Sequence, residues 1–390
     1  MSVRTLLVGP GGHGGEGVYM QLLADHPPEG IDYVRTGGFH EGGPGVRCQT
    51  VREVVLNRVV HPLAVPDMGF RALRLVERFD LVHVHAHPVA LRGLRGAPLV
   101  MSEGSSAAVY IGEYLGWDDA RLRRGLVRAR RLYRGLGIAD RLLALERTAG
   151  AYVFSDWARE INMRWGADPA KLKVIAPGFP TPPAVDRAGH EHFTVVFVGG
   201  DFERKGGFEL VAAFAEAVRE RPELRLVLAG SDPAERNPDR LVHEWVPAAR
   251  RAQGLETIAA LERTGALRRL PWVSRDELLT EIYPGADAFA LPTHAEGFGF
   301  TNVEAMSFGL PVVTSTAGPA AEIVDDGRTG LLVAPGDVDG LRDALLQLAG
   351  DPVAARRMGD AARTEFLRRF TVERFRAELG AFYRRALEAA

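Results

Sequence analysis

The chain has 390 residues, 46% of them hydrophobic and 25% charged, with a formal net charge of -2 at pH 7. That length exceeds one ordinary core and predicts two domains, while the near-neutral balance gives no general pull toward nucleic acid. A single cysteine, Cys48, excludes an intrachain disulfide framework; it fits a reducing cytoplasm. The N-terminal apolar run is too short for a signal peptide, and no stretch approaches the ~18 apolar residues of a membrane span, so a cytoplasmic protein is expected.

Strand and helix signals alternate from the start. Thr5-Leu6-Leu7-Val8 reads as a strand, followed by a glycine loop and a helix from Glu16 to Asp25. The loop Gly9-Pro10-Gly11-Gly12-His13-Gly14 matches G-x-G-x-x-G between strand and helix. Taken alone, that is a dinucleotide fingerprint and opens the rival reading of an NAD(P)-dependent oxidoreductase. Pro10 is an awkward occupant of such a turn, and the rival leaves the downstream motifs unexplained. Asp80 to His85 is a second strand, in which His83 and His85, with His87 beyond, alternate onto one face. Three such imidazoles suit a metal or a packed cleft wall; no metal is assigned.

Strands Pro98 to Met101 and Ala151 to Phe154 follow. Between them, Asp118 to Arg147 carries nine arginines against four acidic residues, a local excess of +5. Leu122, Leu126, Ala129, Tyr133 and Leu136 fall at helical spacing there, with arginines on the remaining faces. The Arg121–Arg134 region is therefore a candidate for peripheral contact with an anionic acceptor or lipid surface; the alternative is a solvated helix packed on the first domain. Pro177-Gly178-Phe179-Pro180-Thr181-Pro182-Pro183 is the clearest breaker cluster. It divides the chain into 1–180 and 181–370, with a terminal helix beyond.

A second α/β run opens at Phe193. The strand Phe193 to Val198 is followed by Gly199-Gly200-Asp201-Phe202-Glu203-Arg204-Lys205-Gly206-Gly207 and then by apolar residues at helical spacing. Arg204 and Lys205 thus stand at a strand-to-helix junction between glycine pairs, where a guanidinium and an ammonium could hold adjacent phosphates. Strand Leu224 to Ala229, helix Arg275 to Tyr283 and strand Ala288 to Leu291 come next. Then follows His294-Ala295-Glu296-Gly297-Phe298-Gly299-Phe300-Thr301-Asn302-Val303-Glu304, with a helix expected over Thr301 to Phe308. Free N–H groups at its start favour an anion, and flanking carboxylates accept hydrogen bonds from paired sugar hydroxyls. Thr301 and Glu304 also fit a capping box. Strands Pro311 to Ser315 and Gly330 to Val333 and an amphipathic helix Val372 to Ala389 complete the pattern. Alternation throughout argues for parallel sheets with helices on both faces.

The glycine-flanked Arg204-Lys205-Gly206, the E-x7-E pair Glu296/Glu304, and Gly309-Leu310-Pro311-Val312-Val313 occur in this order. Together they resemble the retaining glycosyltransferases of the GT-B fold, the group 1 family that includes sucrose synthase, bacterial glycogen synthase and phosphatidylinositol mannosyltransferases. The resemblance is most specific from Phe193 to Val333 and continues through Phe370-Thr371-Val372-Glu373-Arg374-Phe375. It implies two Rossmann-like doubly wound domains facing a central cleft. The acceptor side would lie in 1–180, the nucleotide-sugar side in 181–370, and helix 371–390 would cross back to the first domain. It further implies transfer of a sugar from a UDP- or GDP-linked donor to an acceptor hydroxyl on a glycan, lipid or small molecule, without a metal or other cofactor.

Under the resemblance Arg204, Lys205 and Glu296 carry the chemistry, the cations neutralising the leaving diphosphate and Glu296 binding sugar hydroxyls. Gly12, Gly14, Gly297, Phe298, Gly299, Phe300 and Thr301 line the donor, Glu304 takes the ribose, and the base packs near Trp272-Val273. Glu16, His85 and Glu103 are candidate acceptor or sugar contacts. Family members commonly place a histidine just after the strand equivalent to Leu99-Val100-Met101. This chain reads Ser102-Glu103-Gly104-Ser105-Ser106 there, which leaves the donor sugar open and also admits a non-catalytic sugar-nucleotide binder.

Overall fold

The computed structural model describes residues 2–10, 14–36, 44, 46–48, 71–85, 89–105, 109, 112, 117–136, 148–185, 191–235, 244–271 and 273–389. The chain divides into two compact units: Met1–Gly178 together with Val372–Ala390, and Phe179–Thr371. The division falls inside the proline-glycine cluster, where few side chains can hold the backbone in regular structure.

The first unit is built on strands β1 (Val3–Val8), β2 (Ile31–Arg35), β5 (Leu81–His85), β7 (Leu99–Glu103), β8 (Gly150–Val153) and β9 (Leu172–Val174). They form a parallel sheet in the order β2-β1-β5-β7-β8-β9. β5, β7 and β8 are buried along their whole length. Continuous apolar runs such as Leu81-Val82 and Leu99-Val100-Met101 are what a sheet covered on both faces requires. Helices α1 (Gly15–Asp25), α2 (Asp119–Leu136) and α3 (Asp156–Arg164) follow strands in the α/β manner. Ser155 starts α3 by accepting the Ala158 N–H at 3.0 Å. Strands β3 (Val46–Cys48), β4 (Arg71–Leu75) and β6 (Val89–Arg92) make a small separate sheet.

The second unit repeats the plan. Strands β10 (Phe193–Gly199), β11 (Leu224–Gly230), β12 (Leu267–Leu270), β13 (Ala288–Leu291), β14 (Val312–Ser315) and β15 (Gly330–Val333) pair in the order β12-β11-β10-β13-β14-β15, all parallel. The order reverses between β10 and β13, and the crevice beyond the C-terminal ends there is where doubly wound sheets take ligands. Helices α4 (Gly207–Glu220), α5 (Ala248–Arg263), α6 (Arg275–Glu277), α7 (Phe300–Ser307), α8 (Ala320–Ile323), α9 (Val338–Gly350) and α10 (Pro352–Arg369) cover the faces.

One sequence expectation needs adjustment. The segment 275–283 is not one α-helix: after α6 it winds as a π-helix over Leu278–Ile282. The last helix, α11 (Val372–Glu388), belongs to the first unit, whose core it enters with Val372, Phe375, Leu379, Phe382, Tyr383 and Ala386.

Candidate functional site

The second unit gathers Arg204, Lys205 and Glu296 at the C-terminal ends of β10 and β13. Two loops do this, 200–206 and 292–299, and backbone bonds lace them together. The His294 N–H donates to the Arg204 carbonyl at 2.8 Å, and the Thr293 hydroxyl reaches the same carbonyl at 3.3 Å. Gly206, which precedes α4, has φ +75, and a Cβ there would stand 2.0 Å from the Pro292 carbonyl oxygen. Only glycine permits both the conformation and the approach.

Arg204 is braced on three sides. Its Nη1 donates to the Ala295 carbonyl at 2.7 Å, its Nε to Asp201 Oδ2 at 3.3 Å, and its own N–H to Asp201 Oδ1 at 3.3 Å. Lys205 Nζ is paired with Glu296 Oε2, and the Gly297 N–H donates to Glu296 Oε1 at 3.1 Å. Both partners are mostly buried, which strengthens the pair relative to one in water. Burial pulls the Lys205 ammonium below its ordinary pKa despite Glu296. Burial would raise the Glu296 carboxyl, but Lys205 and Arg204 outweigh it and hold it below the ordinary carboxylate value. The result is a cluster in which two cations, Arg204 and Lys205, meet two carboxylates, Asp201 and Glu296.

Beneath it lies a layer the sequence did not disclose. Glu209, on the first turn of α4, is 1% exposed, and its Oε1 lies 3.4 Å from His294 Nε2. The His294 ring stacks on Trp245 at 5.6 Å. Glu203 Oε1 accepts the Val246 N–H at 3.1 Å and Oε2 lies 3.9 Å from Arg251. These contacts hold the two loops from behind and span from 43 to 85 positions in the chain, beyond the reach of periodicity.

Helix α7 begins one residue earlier than expected. Gly299 is its N-cap, with φ +98 and no side-chain cap bond. The capping box is therefore absent: Thr301 is already inside the helix. Glu304 instead pairs with Arg275 Nη2 at 2.6 Å and accepts the Tyr283 hydroxyl at 3.4 Å. Burial raises its carboxyl above the ordinary value in spite of Arg275. Glycine at the cap is the physical reason for the failed motif, since a left-handed cap has no hydroxyl to complete the box. By helix geometry the first N–H groups of α7, at Phe300 and Thr301, lack intrahelical acceptors. Phe298 is buried against Phe300 and Phe370, which pins this turn. Val273 is partly buried beside Ser274, the N-cap of α6; Trp272 lies outside the described residues.

In the first unit, Gly14 is the exposed N-cap of α1, and Gly12 lies outside the described residues. Glu16, on the first turn of α1, is bonded through Oε2 to His85 Nε2. His85 ends β5, fully buried, with Nδ1 2.8 Å from Ser102 Oγ on the neighbouring β7. Glu103, the last residue of β7, is also buried. Glu16 and His85 thus come together at the C-terminal edge of this sheet, across 69 positions in the chain, whereas Glu103 follows Ser102 in β7 and its side chain falls on the alternate face. His83 shares the face of His85, and His87 lies outside the described residues. No group of three or more metal-ligating side chains is found among the described residues.

On α2, Arg121, Arg123, Arg124, Arg128 and Arg131 are exposed and Leu122 is buried. Arg121 lies over Trp117 at 4.2 Å and Arg123 over Trp165 at 4.9 Å. The side chains of Leu126, Ala129, Tyr133 and Leu136 are outside the described ones. Among the described residues no helix is long and apolar enough to cross a membrane.

Residues 183–365 match the family model "Glycosyl transferases group 1". The chain is 30% identical over 295 residues to glycogen synthase of Mycobacterium tuberculosis, covering 73% of this chain and 64% of the relative. It is 29% identical over 393 residues to D-inositol 3-phosphate glycosyltransferase of Nocardia farcinica, covering 90% of this chain and 80% of that one. Among solved structures, Anabaena HepE in complex with UDP and glucose aligns with a TM-score of 0.64 at 16% identity, covering 98% of this chain and 99% of the other. This is a likeness of fold: two parallel-sheet α/β units of the GT-B type. The chain spans less than two thirds of the length of the mycobacterial glycogen synthase.

Proposed function

With residues 183–365 in the glycosyl transferases group 1 family, we propose that this protein moves a sugar from a nucleoside-diphosphate sugar to an acceptor hydroxyl, with retention of anomeric configuration. The observation that carries the reading is the convergence of Arg204, Lys205 and Glu296 at the C-terminal crevice of the second sheet. Arg204 and Lys205 neutralise charge that develops on the departing diphosphate, an electrostatic contribution available only in the transition state. Their bracing means little reorganisation is needed when that charge appears. Glu296, kept ionised by the same cations, accepts hydrogen bonds from sugar hydroxyls.

The N–H groups at the start of α7, with Gly297, Phe298, Gly299, Phe300 and Thr301, hold sugar and phosphate oxygens. Glu304, set by Arg275 and Tyr283, takes the ribose, and Val273 borders the base. Glu16, His85 and Glu103 in the first unit serve the acceptor, and Gly12 and Gly14 its donor-facing loop. The donor is UDP- or GDP-linked, in keeping with the UDP and glucose of the HepE complex.

A screen of UDP- and GDP-linked sugars, read by thermal shift and by release of nucleoside diphosphate, tests the reading. Binding and turnover of at least one nucleotide sugar are expected. Binding of NAD(P)H with no nucleotide-sugar response would return the protein to the oxidoreductase reading, and binding without turnover to the sugar-nucleotide binder.

A further inference from the structure

A continuous chain of hydrogen bonds runs through the core of the first unit, from the last helix to the surface. The Tyr33 hydroxyl lies 2.8 Å from that of Tyr383, on α11. Tyr383 Oη lies 2.7 Å from His83 Nδ1, and His83 Nε2 lies 2.7 Å from Ser102 Oγ. Ser102 Oγ lies 2.8 Å from His85 Nδ1, and His85 Nε2 meets Glu16. Tyr383, His83, Ser102 and His85 are completely buried, whereas the Glu16 side chain is 46% exposed. The chain therefore has one end in water, and that end is a carboxylate.

The donors in this chain can be ordered. Ionised Glu16 only accepts, so His85 Nε2 carries a proton. His85 Nδ1, bare in the neutral ring, accepts from the Ser102 hydroxyl. Ser102 in turn accepts from His83 Nε2–H, and His83 Nδ1 accepts from the Tyr383 hydroxyl. From Tyr383 to His85 each member donates to the next, all in one sense, and the Tyr19 and Tyr152 hydroxyls also bond at Ser102. Burial keeps His83 well below its ordinary pKa, in agreement with a neutral ring in this place. Without the Ser102 hydroxyl, His85 Nδ1 would turn to the Ser102 carbonyl 3.1 Å away, which accepts only. The tautomer would then invert and present a bare Nε2 to the carboxylate. Gly104 completes the setting: a Cβ there would come within 3.5 Å of Glu16 Oε1 and 3.3 Å of the Phe154 ring.

We propose that Glu16 is an acceptor-binding carboxylate whose orientation is set by the buried relay Tyr383–His83–Ser102–His85, making Ser102 and Tyr383 positioning residues supplied by β7 and the C-terminal helix. The relay makes the last helix part of the binding apparatus as well as of the core. An acceptor with vicinal hydroxyls suits Glu16, because a fixed carboxylate accepts two hydroxyl protons at once. The inference rests on the glycosyltransferase reading for its substrate but not for its geometry.

Two measurements test it, on the full chain and its Ser102→Ala and Tyr383→Phe variants. The first is nitrogen NMR of histidine-labelled protein. A bare His85 Nδ1 in the wild type that becomes protonated in Ser102→Ala is expected; a protonated Nδ1 in the wild type overturns the relay. The second uses UDP-glucose with D-inositol 3-phosphate or maltotriose as acceptor probes. Ser102→Ala and Tyr383→Phe should raise the acceptor KM about tenfold, the scale of one hydrogen bond to a charged group, with donor KM unchanged and melting temperatures reported alongside. An unchanged acceptor KM in Ser102→Ala overturns the positioning role. A wild type that turns over no nucleotide sugar refutes the function proposed above and leaves the NMR result to decide the relay.

Discussion

Lys205 and Glu296 are each other's condition for being buried. Removing one partner of a buried pair leaves the other uncompensated, which costs several kcal/mol, whereas removing both charges costs far less. Arg204→Ala and Lys205→Ala should each lower turnover more than a hundredfold, on the order of 3 kcal/mol of barrier. Lys205→Ala should also lower the melting temperature, and Lys205→Ala with Glu296→Gln should recover part of that loss without recovering turnover. Steady-state kinetics and calorimetry read both; a single mutant above about a tenth of wild-type rate, a loss of only ~1.4 kcal/mol, contradicts the role.

Glu304 differs in sign from Glu296. Its folded pKa is raised, so the folded state holds a proton longer than the unfolded chain, and its contribution to stability falls as pH rises from the ordinary value of 4.5 through the folded one. Glu296 is depressed, so its contribution is present above 4.5 and is lost as pH falls through the lower folded value. The stability gap between wild type and Glu304→Gln should therefore narrow as pH rises from 4.5 toward neutrality. Chemical denaturation at three pH values measures it, and a gap that widens would show that Arg275 dominates burial after all.

At the scale of elements, helix α2 concentrates charge on a chain that is otherwise balanced. Arg121, Arg123, Arg124, Arg128 and Arg131 are exposed, and Val127 among them is 53% exposed. Polybasic helices gain about 1 kcal/mol per arginine near an anionic surface, and salt screens this. We expect wild-type protein to float with anionic liposomes at low salt and the Arg124→Glu, Arg128→Glu, Arg131→Glu variant to stay behind. Absence of binding by both would remove the membrane and leave a soluble anionic acceptor. Helix α7 teaches a different lesson. The motif Thr301-x-x-Glu304 has the right spacing for a capping box, yet Gly299 caps the helix and Glu304 looks across to α6 and Tyr283. Spacing cannot distinguish a local bond from a long-range one when both use the same carboxylate.

At the scale of the molecule, α11 is the last segment of the chain and part of its first unit. Six of its side chains are buried there, Val372, Phe375, Leu379, Phe382, Tyr383 and Ala386. At 1.5–3 kcal/mol for a large apolar side chain, their removal withdraws on the order of 10 kcal/mol, comparable with the whole stability of a domain. Truncation after Thr371 should therefore unfold the first unit and leave the second protected. Hydrogen exchange resolved by segment would show amides of β5 and β7 losing protection while those of β10 and β13 keep it. Unchanged protection in β5 and β7 would mean that the helix adds little to its core.

The features legible from the order of residues are local. The β-branched and aromatic run Phe193–Val198 and the apolar run Ala288–Leu291, each leading into a glycine-containing loop, announce parallel strands whose C-terminal ends carry the candidate chemistry. Arg204, Lys205 and Glu296 could be named because they sit in such loops, within a few residues of the strand that aims them. Other features had no local signal. Arg275 and Tyr283 meet Glu304, Glu209 and Trp245 meet His294, and Tyr383 meets His83 across 300 positions. Only tertiary structure decided these, because a buried polar atom must find a partner wherever the fold brings one. That requirement acts through space, and periodicity along the chain carries no record of it.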